Sequence, residues 1–216
     1  MIITIDGPAG AGKSTVARQL ANRLGFAFLD TGAMYRAVAW ACLQRDVDFS
    51  DVDAVADVAR TIVIQFDGDE VLVDGQNVSG EIRTNDVTAA SQYTAGNIEV
   101  REILVEQQRR IAGDADVVTE GRDQGTVVFP AAEFKFFITA SPESRARRRQ
   151  EEFAARGQNI PLEQVLADQT DRDNRDAARK VGAMKPAADA VEVDTSQIDA
   201  DAVVQRLLEI IGDSPG

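Results

Sequence analysis

One stretch near the start of the chain decides the fold: Gly7-Pro8-Ala9-Gly10-Ala11-Gly12-Lys13-Ser14. It matches the pattern G-x-x-x-x-G-K-S, whose glycines let backbone N–H groups curl towards phosphate oxygens. It lies between a predicted β-strand at residues 2–5 and a predicted helix at residues 14–24, the context that this motif requires. The helix N-terminus adds a favourable dipole. The stretch therefore predicts a site for the phosphates of a nucleoside triphosphate.

Each part of this motif has a predicted task. Lys13 is expected to reach the β- and γ-phosphates, and the Ser14 hydroxyl to ligate a Mg²⁺ ion that bridges them. ATP is the expected co-substrate. The alternative is a glycine-rich turn that only joins a strand to a helix. The predicted nucleotide-binding residues of this region are Gly7, Pro8, Ala9, Gly10, Ala11, Gly12, Lys13, Ser14 and Thr15.

The rest of the chain alternates between strand and helix patterns. Strands are predicted at 26–30, 116–120, 135–139 and 190–194, and helices at 33–45, 99–111, 145–156, 162–180 and 199–211. This alternation predicts an α/β fold with a doubly wound parallel sheet of about five strands. Short apolar runs around Gly68-Asp69 and Asp74-Gly75 predict small antiparallel strands joined by tight turns. We expect one domain over 1–216, with an insertion at about 61–95.

Composition narrows the range of functions. The 216 residues carry a net charge of −13, which disfavours non-specific binding to nucleic acid or to anionic membranes. No apolar run is long enough to span a bilayer, and no signal peptide is recognisable at the start, so a cytoplasmic protein is expected. We also expect a monomer. A single cysteine excludes an internal disulfide, and the absence of histidine excludes imidazole chemistry.

Triphosphate binding alone does not separate a kinase from a switch or a motor. A small GTPase is expected to carry an N-K-x-D segment that reads guanine, and the sequence has none. A motor ATPase usually has four apolar residues ending in an acid, and residues 117–120, Val-Val-Thr-Glu, match this poorly. The distinction must come from a second substrate site.

A first polar cluster, residues 30–36, follows the second predicted strand, where ligands of open parallel sheets bind. Asp30 or Thr31 could simply cap the next helix. Tyr35 and Arg36 lie one turn into that helix, close in sequence to the strand end. They favour an anionic ligand over a surface ion pair.

A second polar cluster, residues 120–126, follows the third strand of the predicted sheet. Its centre is Arg122-Asp123, placed between two glycines. An ion pair within a surface turn would contribute only about 0–1 kcal/mol. We therefore favour a bound ligand as the reason for this pair.

The third cluster consists of arginines. The whole chain has 19 arginines against 4 lysines. A genomic bias towards arginine could explain that number, but not the positions. Like charges on one helix face repel one another unless an anion lies between them. The alternative is a solvated lattice in which neighbouring acids neutralise the arginines. The residues concerned are Arg145, Arg147, Arg148, Arg149, Arg172, Arg175 and Arg179.

These residues predict two anionic sites, one for a triphosphate and one for a monophosphate. Phosphoryl transfer depends mainly on alignment and on neutralisation of charge, so it needs no histidine. It does need closure against water. The helix that carries Arg145, Arg148 and Arg149 is the expected lid, at about 145–158.

At these residues the sequence resembles the bacterial cytidylate kinases (CMP kinases), over nearly the whole chain. The P-loop is shared with many kinases, whereas two of the matching segments are much more specific: Ser79-Gly80-Glu81-Ile82-Arg83-Thr84 and Gly121-Arg122-Asp123-Gln124-Gly125-Thr126-Val127-Val128-Phe129-Pro130. Other matching segments are residues 30–36, 172–176 and 186–190.

The resemblance implies ATP-dependent phosphorylation of CMP and dCMP to CDP and dCDP, and it implies that the insertion binds the monophosphate. Lys13, Arg122, Arg148 and Arg179 are the expected catalytic residues. Arg145 and Arg149 join the ATP-binding residues, and Ser14 is the metal ligand. The implied acceptor-binding residues are Arg36, Arg122 and Arg179 for the phosphate, Ser91, Arg101 and Asp123 for cytosine, Tyr35, Arg172 and Asp176 for the sugar, and Thr31.

Two positions depart from the common family pattern. Thr31 stands where serine is common and retains a hydroxyl. Glu120 stands where aspartate is frequent, and a role beside Mg²⁺ would require its longer side chain to retract. The alternatives that remain are a P-loop kinase of another small acceptor, such as the shikimate type, and a nucleotide-dependent switch or ATPase.

Overall fold

The computed structural model of the chain describes residues 1–155 and 157–212. They divide into two compact units, one made of Met1–Leu29 with Asp114–Gly216 and the other of Asp30–Gly113. We refer to these as the first and the second unit. In chain order the elements are β1 (Ile2–Asp6), α1 (Lys13–Leu24), β2 (Ala27–Asp30), α2 (Thr31–Gln44), α3 (Val52–Thr61), β3 (Ile64–Asp67), β4 (Glu70–Val73), β5 (Gln76–Asn77), α4 (Asn85–Gly96), α5 (Ile98–Ala112), β6 (Val117–Gly121), β7 (Phe134–Thr139), α6 (Pro142–Ala155), α7 (Leu162–Ala177), β8 (Val191–Asp194) and α8 (Ala200–Gly212).

The larger sheet has five strands in the order β2-β6-β1-β7-β8. β1 pairs in parallel with β6 and β7, and β7 pairs in parallel with β8. This confirms the predicted five-stranded α/β sheet. β1 lies at its centre because its apolar side chains are buried on both faces, as in other parallel sheets. Ile3 and Ile5 are fully buried.

Helices α1 and α8 pack together beside this sheet. Val16 and Leu20 of α1, one turn apart, lie in the same buried cluster as Val204 and Leu207 of α8 and Ile5 of β1. The 3.6-residue spacing of the apolar positions puts them on one face of each helix. The packing fixes the start of α1 at the carboxyl end of β1.

The second unit contains four α-helices, a short 3-10 helix at Glu81–Arg83 and the smaller sheet among its described elements. β3, β4 and β5 pair antiparallel in that order, with two-residue turns at Gly68-Asp69 and Asp74-Gly75. Asp74 and Gly75 have φ of 51° and 82°, the left-handed conformation that tight hairpin turns need. The predicted antiparallel strands are therefore confirmed, with β5 as an additional strand.

Two helices, α3 and α4, lie where the sequence patterns predict no element. The buried face of α4 is formed by Val87, Ala90, Ser91 and Thr94, which have helical spacing but are small or polar. Such a face gives no apolar stripe to recognise. At other helices only the ends differ: α2 begins at Thr31 and α7 ends at Ala177.

Helix α6 begins at Pro142, at the helix position where proline is favoured. Arg156, the last residue of the helix predicted there, lies outside the described residues. In the part of the chain that the structure describes, no helix combines the length and apolar character needed to cross a membrane.

Candidate active site

The loop between β1 and α1 has the backbone geometry that phosphate binding requires. Gly7 has φ of 141°, and a Cβ there would lie 2.0 Å from the carbonyl oxygen of Ile138. Gly10 and Gly12 have φ of 76° and 88°, which glycine adopts without strain. α1 begins directly afterwards, at Lys13. The predicted order of strand, glycine-rich loop and helix is confirmed.

Lys13 is buried at the end of this loop, with 5% of its surface exposed. Its Nζ donates a hydrogen bond to the carbonyl oxygen of Pro8 at 2.7 Å. The pKa of Lys13 is lowered to about 7, first by burial and then by the positive charge of Arg122, while Glu120 acts in the opposite direction. Phosphate oxygens beside this amine would raise its pKa, because an opposite charge favours the ionised form.

Ser14 and Glu120 place two side-chain oxygens, both possible metal ligands, next to Lys13. The Ser14 hydroxyl donates to Oε1 of Glu120 at 2.6 Å, and Glu120 is buried at the end of β6. Among the residues described, no group of three or more acids, cysteines or histidines could hold a metal by itself. Mg²⁺ is typically held by one or two protein oxygens together with substrate phosphates. The pair therefore fits a Mg²⁺ that is bound together with a nucleotide.

Asp6 holds the loop that follows β6 against the end of β1. Its two carboxylate oxygens accept the backbone N–H groups of Gln124 and Gly125, both at 2.8 Å. Gln124–Val128 forms a single π-helical turn, a feature frequent at functional sites. Burial raises the pKa of Asp6 to about 6, although these two hydrogen bonds oppose the shift. Sequence patterns assigned Asp6 no role, because its partners lie 118 and 119 positions away.

Asp176 joins two of the predicted phosphate-binding arginines. Its Oδ2 accepts Nε of Arg122 at 2.9 Å, and its Oδ1 accepts Nη2 of Arg179. Burial acts to raise the pKa of Asp176, but the charges of Arg122, Arg179 and Arg172 outweigh it and leave the pKa below its ordinary value. The side chains of Asp176, Arg122 and Arg179 are 4%, 17% and 15% exposed. Asp176 thus pairs with Arg122 and Arg179 in a cluster that is largely buried.

Arg145, predicted for the lid, is 6% exposed. Its Nε donates to the carbonyl oxygen of Ala140 at 3.1 Å, and its Nη1 donates to that of Ala9 at 2.9 Å. Nη1 also lies 2.5 Å from Oδ2 of Asp173. The structure therefore places Arg145 against the phosphate-binding loop.

The other two lid arginines differ in their surroundings. Arg148 donates to Oγ1 of Thr195 at 3.1 Å and to the Thr195 carbonyl oxygen, and its Nη1 lies 3.9 Å from where a Cβ on Gly12 would be. Arg149 pairs with Glu152 on the same helix at 2.7 Å. Arg148 is thus beside the loop, while Arg149 lies in an exposed setting. Sequence reasoning missed Thr195, which has no motif around it.

In the second unit, Asp30 organises the start of α2. Its Oδ1 accepts the N–H of Ala33 at 2.8 Å, so Asp30 caps the helix, and its Oδ2 lies 3.2 Å from Nη2 of Arg36. Arg83 approaches the same carboxylate at 3.8 Å. Thr31 is buried as the first residue of the helix. Nε of Arg36 is buried and has no hydrogen-bond partner among the described residues, which is uncommon for a buried donor.

Other predicted acceptor residues of the second unit lie on α2, α4 and α5. The guanidinium of Arg101 lies over the ring of Tyr35, 5.5 Å from its centre, and its Nη1 donates to the carbonyl oxygen of Ala95 at 3.3 Å. Ser91 donates to the carbonyl oxygen of Thr88 at 2.7 Å. The fold brings Tyr35 and Arg101 together although they are far apart in the sequence.

The parallel sheet and the glycine-rich loop between β1 and α1 give this chain the fold of the P-loop kinases. A shikimate kinase from Bacteroides thetaiotaomicron has the same fold, with a TM-score of 0.51 at 13% identity over 98% of each chain. That likeness concerns the fold alone.

Sequence comparison then gives the family. The family model described as cytidylate kinase matches residues 3–213. A cytidylate kinase from Rhodopirellula baltica is 49% identical over 211 residues, covering 98% of this chain and 92% of the relative. One from Caldanaerobacter subterraneus subsp. tengcongensis is 46% identical, covering 97% and 93%. This chain belongs to the cytidylate kinase family.

Proposed function

We propose that this chain transfers the γ-phosphoryl group of ATP to CMP and dCMP and releases CDP or dCDP with ADP. The observation that carries the proposal is geometric: Ser14, next to Lys13, donates to Glu120 at 2.6 Å, and Glu120 lies two residues before Arg122, which shares Asp176 with Arg179. The triphosphate loop and the arginine cluster thus lie at the same end of β6 within one unit, as transfer between donor and acceptor phosphates would require. The identity of the acceptor base follows from the relatives named cytidylate kinases.

The donor site is proposed at residues 7–15. Backbone N–H groups of the loop and the N-terminus of α1 bind the phosphates, and Lys13 neutralises charge on the β- and γ-groups. Arg145 and Arg149 belong to this donor site. Arg148, beside Gly12, stabilises the charge of the group in transfer.

The acceptor residues are proposed separately for each unit. In the first unit, Arg122 and Arg179 bind the acceptor phosphate while Asp176 keeps both side chains in place. The remaining first-unit residues are Asp123 for the base and Arg172, with Asp176, for the sugar. In the second unit, the residues proposed to bind CMP are Thr31, Tyr35, Arg36, Ser91 and Arg101.

In the chemical step, an oxygen of the acceptor phosphate attacks the γ-phosphorus, and the bond from that phosphorus to the ADP oxygen breaks. The protein's part is to align the two phosphates and neutralise their charge. Mg²⁺ held by Ser14, with Glu120 beside it, would supply further positive charge to the phosphates. A lid at about 145–158 would exclude water, which would otherwise accept the phosphoryl group.

The proposal extends to the domain organisation, the oligomeric state and the location of the protein. One kinase domain spans 1–216, and its insertion at about 61–95 binds the monophosphate. The protein acts as a cytoplasmic monomer on small nucleotides. The net charge of −13 supports the expectation that nucleic acids and membranes are not its partners.

The test is an ATP-consumption assay with CMP, dCMP, UMP, AMP and GMP in turn, with chromatography of the products. We expect CDP and dCDP to form fastest. Equal rates with all five acceptors would refute the acceptor assignment and leave a kinase. ATP turnover without any phosphorylated nucleotide would indicate an ATPase or a switch.

A further inference from the structure

Side chains of two later helices hold both backbone groups of Ala9, in the middle of the phosphate-binding loop. The Ala9 N–H donates to Oδ1 of Asp173 at 3.3 Å, and the Ala9 carbonyl oxygen accepts Nη1 of Arg145 at 2.9 Å. Nη1 of Arg145 also donates to Oδ2 of Asp173 at 2.5 Å. Three hydrogen bonds thus form a closed ring through Ala9, Asp173 and Arg145, which fixes the orientation of the loop at this residue.

The next residue of the loop touches the same helices. A Cβ on Gly10 would lie 2.6 Å from Nε2 of Gln169 and 3.2 Å from Cβ of Arg145. Nε2 of Gln169 also donates to the Arg145 carbonyl oxygen at 3.3 Å. The loop is therefore in close contact with α6 through Arg145 and with α7 through Gln169 and Asp173.

The ion pair within the ring is largely removed from water. The side chain of Arg145 is 7% exposed and that of Asp173 is 15% exposed. Solvent screens such a pair weakly, so each charge depends on the other. Loss of Arg145 alone would leave an unneutralised carboxylate 3.3 Å from the Ala9 nitrogen, where it would repel the phosphates of a bound nucleotide.

We propose that Asp173 is a positioning residue of the donor site, which together with Arg145 holds the Ala9 backbone in its phosphate-binding orientation. Arg145 then acts through Asp173 and Ala9, and not through contact with the phosphates. The inference rests on the proposed function only for the identity of the donor nucleotide.

The test uses the full chain and a non-hydrolysable Mg²⁺–ATP analogue, with dissociation constants measured by calorimetry for Asp173→Asn, Arg145→Gln and the double variant. The double variant carries the same net charge as the wild type and should bind about tenfold more weakly, because the ring is lost. Arg145→Gln alone should bind more weakly still, so that adding Asp173→Asn rescues part of the loss. Asp173→Asn alone should raise the KM for ATP and leave the KM for CMP unchanged.

Asp171→Asn is the matched control, since Asp171 is exposed on the same helix, and it should bind as the wild type does. If Arg145 contacted the phosphates directly, the double variant would be no better than Arg145→Gln, and the proposal would be overturned. Unchanged or tighter binding by Asp173→Asn would overturn it as well.

Thermal unfolding of each variant is measured alongside. If Arg145→Gln does not fold, Arg145→Met takes its place, because it also removes the charge and keeps an unbranched, flexible side chain that packs well. The binding measurements do not depend on phosphoryl transfer. If the chain fails to phosphorylate CMP but Asp173→Asn still rescues nucleotide binding by Arg145→Gln, the proposed function is refuted and the role of Asp173 is still supported.

Discussion

The phosphate-binding loop and the arginine cluster around Asp176 are equipped for anions by different means. The loop uses backbone N–H groups of consecutive residues, and its shape depends on glycines with positive φ. The cluster uses the charged side chains of Arg122 and Arg179, held by an acid 54 positions from Arg122. Anion binding by the loop should therefore be lost when a side-chain atom is added to one of its glycines. Anion binding by the cluster should be weakened when one of its charges is removed.

The largest expected effect tests the steric side of this comparison. Gly7→Ala puts a methyl group 2.0 Å from the Ile138 carbonyl oxygen, so the strand end must shift. We expect a loss of about 3 kcal/mol or more in the free energy of unfolding, measured by urea denaturation, together with loss of ATP binding. Gly80→Ala, where a Cβ meets nothing within 4 Å, is the control and should stay close to the wild type.

The next largest effect is expected at Asp6, which precedes the loop and binds the backbone of Gln124 and Gly125, close in sequence to Arg122. It should appear as a pH dependence of the free energy of unfolding. The folded chain holds the Asp6 proton more tightly than the unfolded chain, because its pKa is raised from 3.8 to about 6. The Asp6 contribution to stability is therefore largest below about pH 4 and falls by roughly 3 kcal/mol as the pH rises to 6 and above. Asp6→Asn should remove this fall. Parallel stability–pH curves for Asp6→Asn and wild type would contradict the assignment.

The charge side of the comparison is tested by Asp176→Asn. Two largely buried arginines would then share one neutral acceptor, and we expect the free energy of unfolding to fall by about 2 kcal/mol. The KM for CMP should rise more than that for ATP. Asp171→Asn serves again as the exposed control on α7. A rise in both KM values by the same factor would show that the cluster does not belong to the acceptor site alone.

Arg148 tests whether a side chain beside the loop acts on the transition state. Arg148→Ala should lower kcat about tenfold and change CMP binding much less, if its charge matters mainly for the group in transfer. Steady-state kinetics and equilibrium binding of CMP on the same preparation separate the two effects. Arg147→Ala is the comparison variant, since Arg147 is exposed on the same helix and has no place in the proposed site. An equal loss in turnover and in CMP binding would contradict the role of Arg148.

The smallest expected effect is the uptake of a proton by Lys13 when a nucleotide binds. Burial lowers the pKa of Lys13 to about 7, so we expect the Lys13 amine to lose its proton in the free protein by pH 8.5 and to regain it beside bound phosphates. Calorimetry of Mg²⁺–ATP analogue binding in buffers of different ionisation enthalpy should show uptake approaching one proton at pH 8.5. At pH 6 the uptake through Lys13 should vanish. Absence of uptake at pH 8.5 would mean that Lys13 stays charged in the free protein.

The predictability of the two units differs for a physical reason. Strands β1 and β7 are short and largely apolar, β6 begins with two valines, and α1 and α8 carry apolar stripes, so local pattern was sufficient for them. Helix α4 buries Ser91 and Thr94 with small residues, and its hydrophobic pattern is too weak to recognise. Its burial depends on α2, against which it packs.

The sequence by itself determined the phosphate-binding loop, the five-stranded α/β class and, through its specific motifs, the cytidylate kinase family. All of these depend on local spacing, because glycine conformation and apolar periodicity act between near neighbours. Only the tertiary structure decided that Asp6 holds Gln124 and Gly125, and that Asp173 closes a ring with Arg145 on Ala9. Hydrogen bonds and ion pairs form between groups that the fold brings together. No spacing along the chain encodes which acid will meet which arginine.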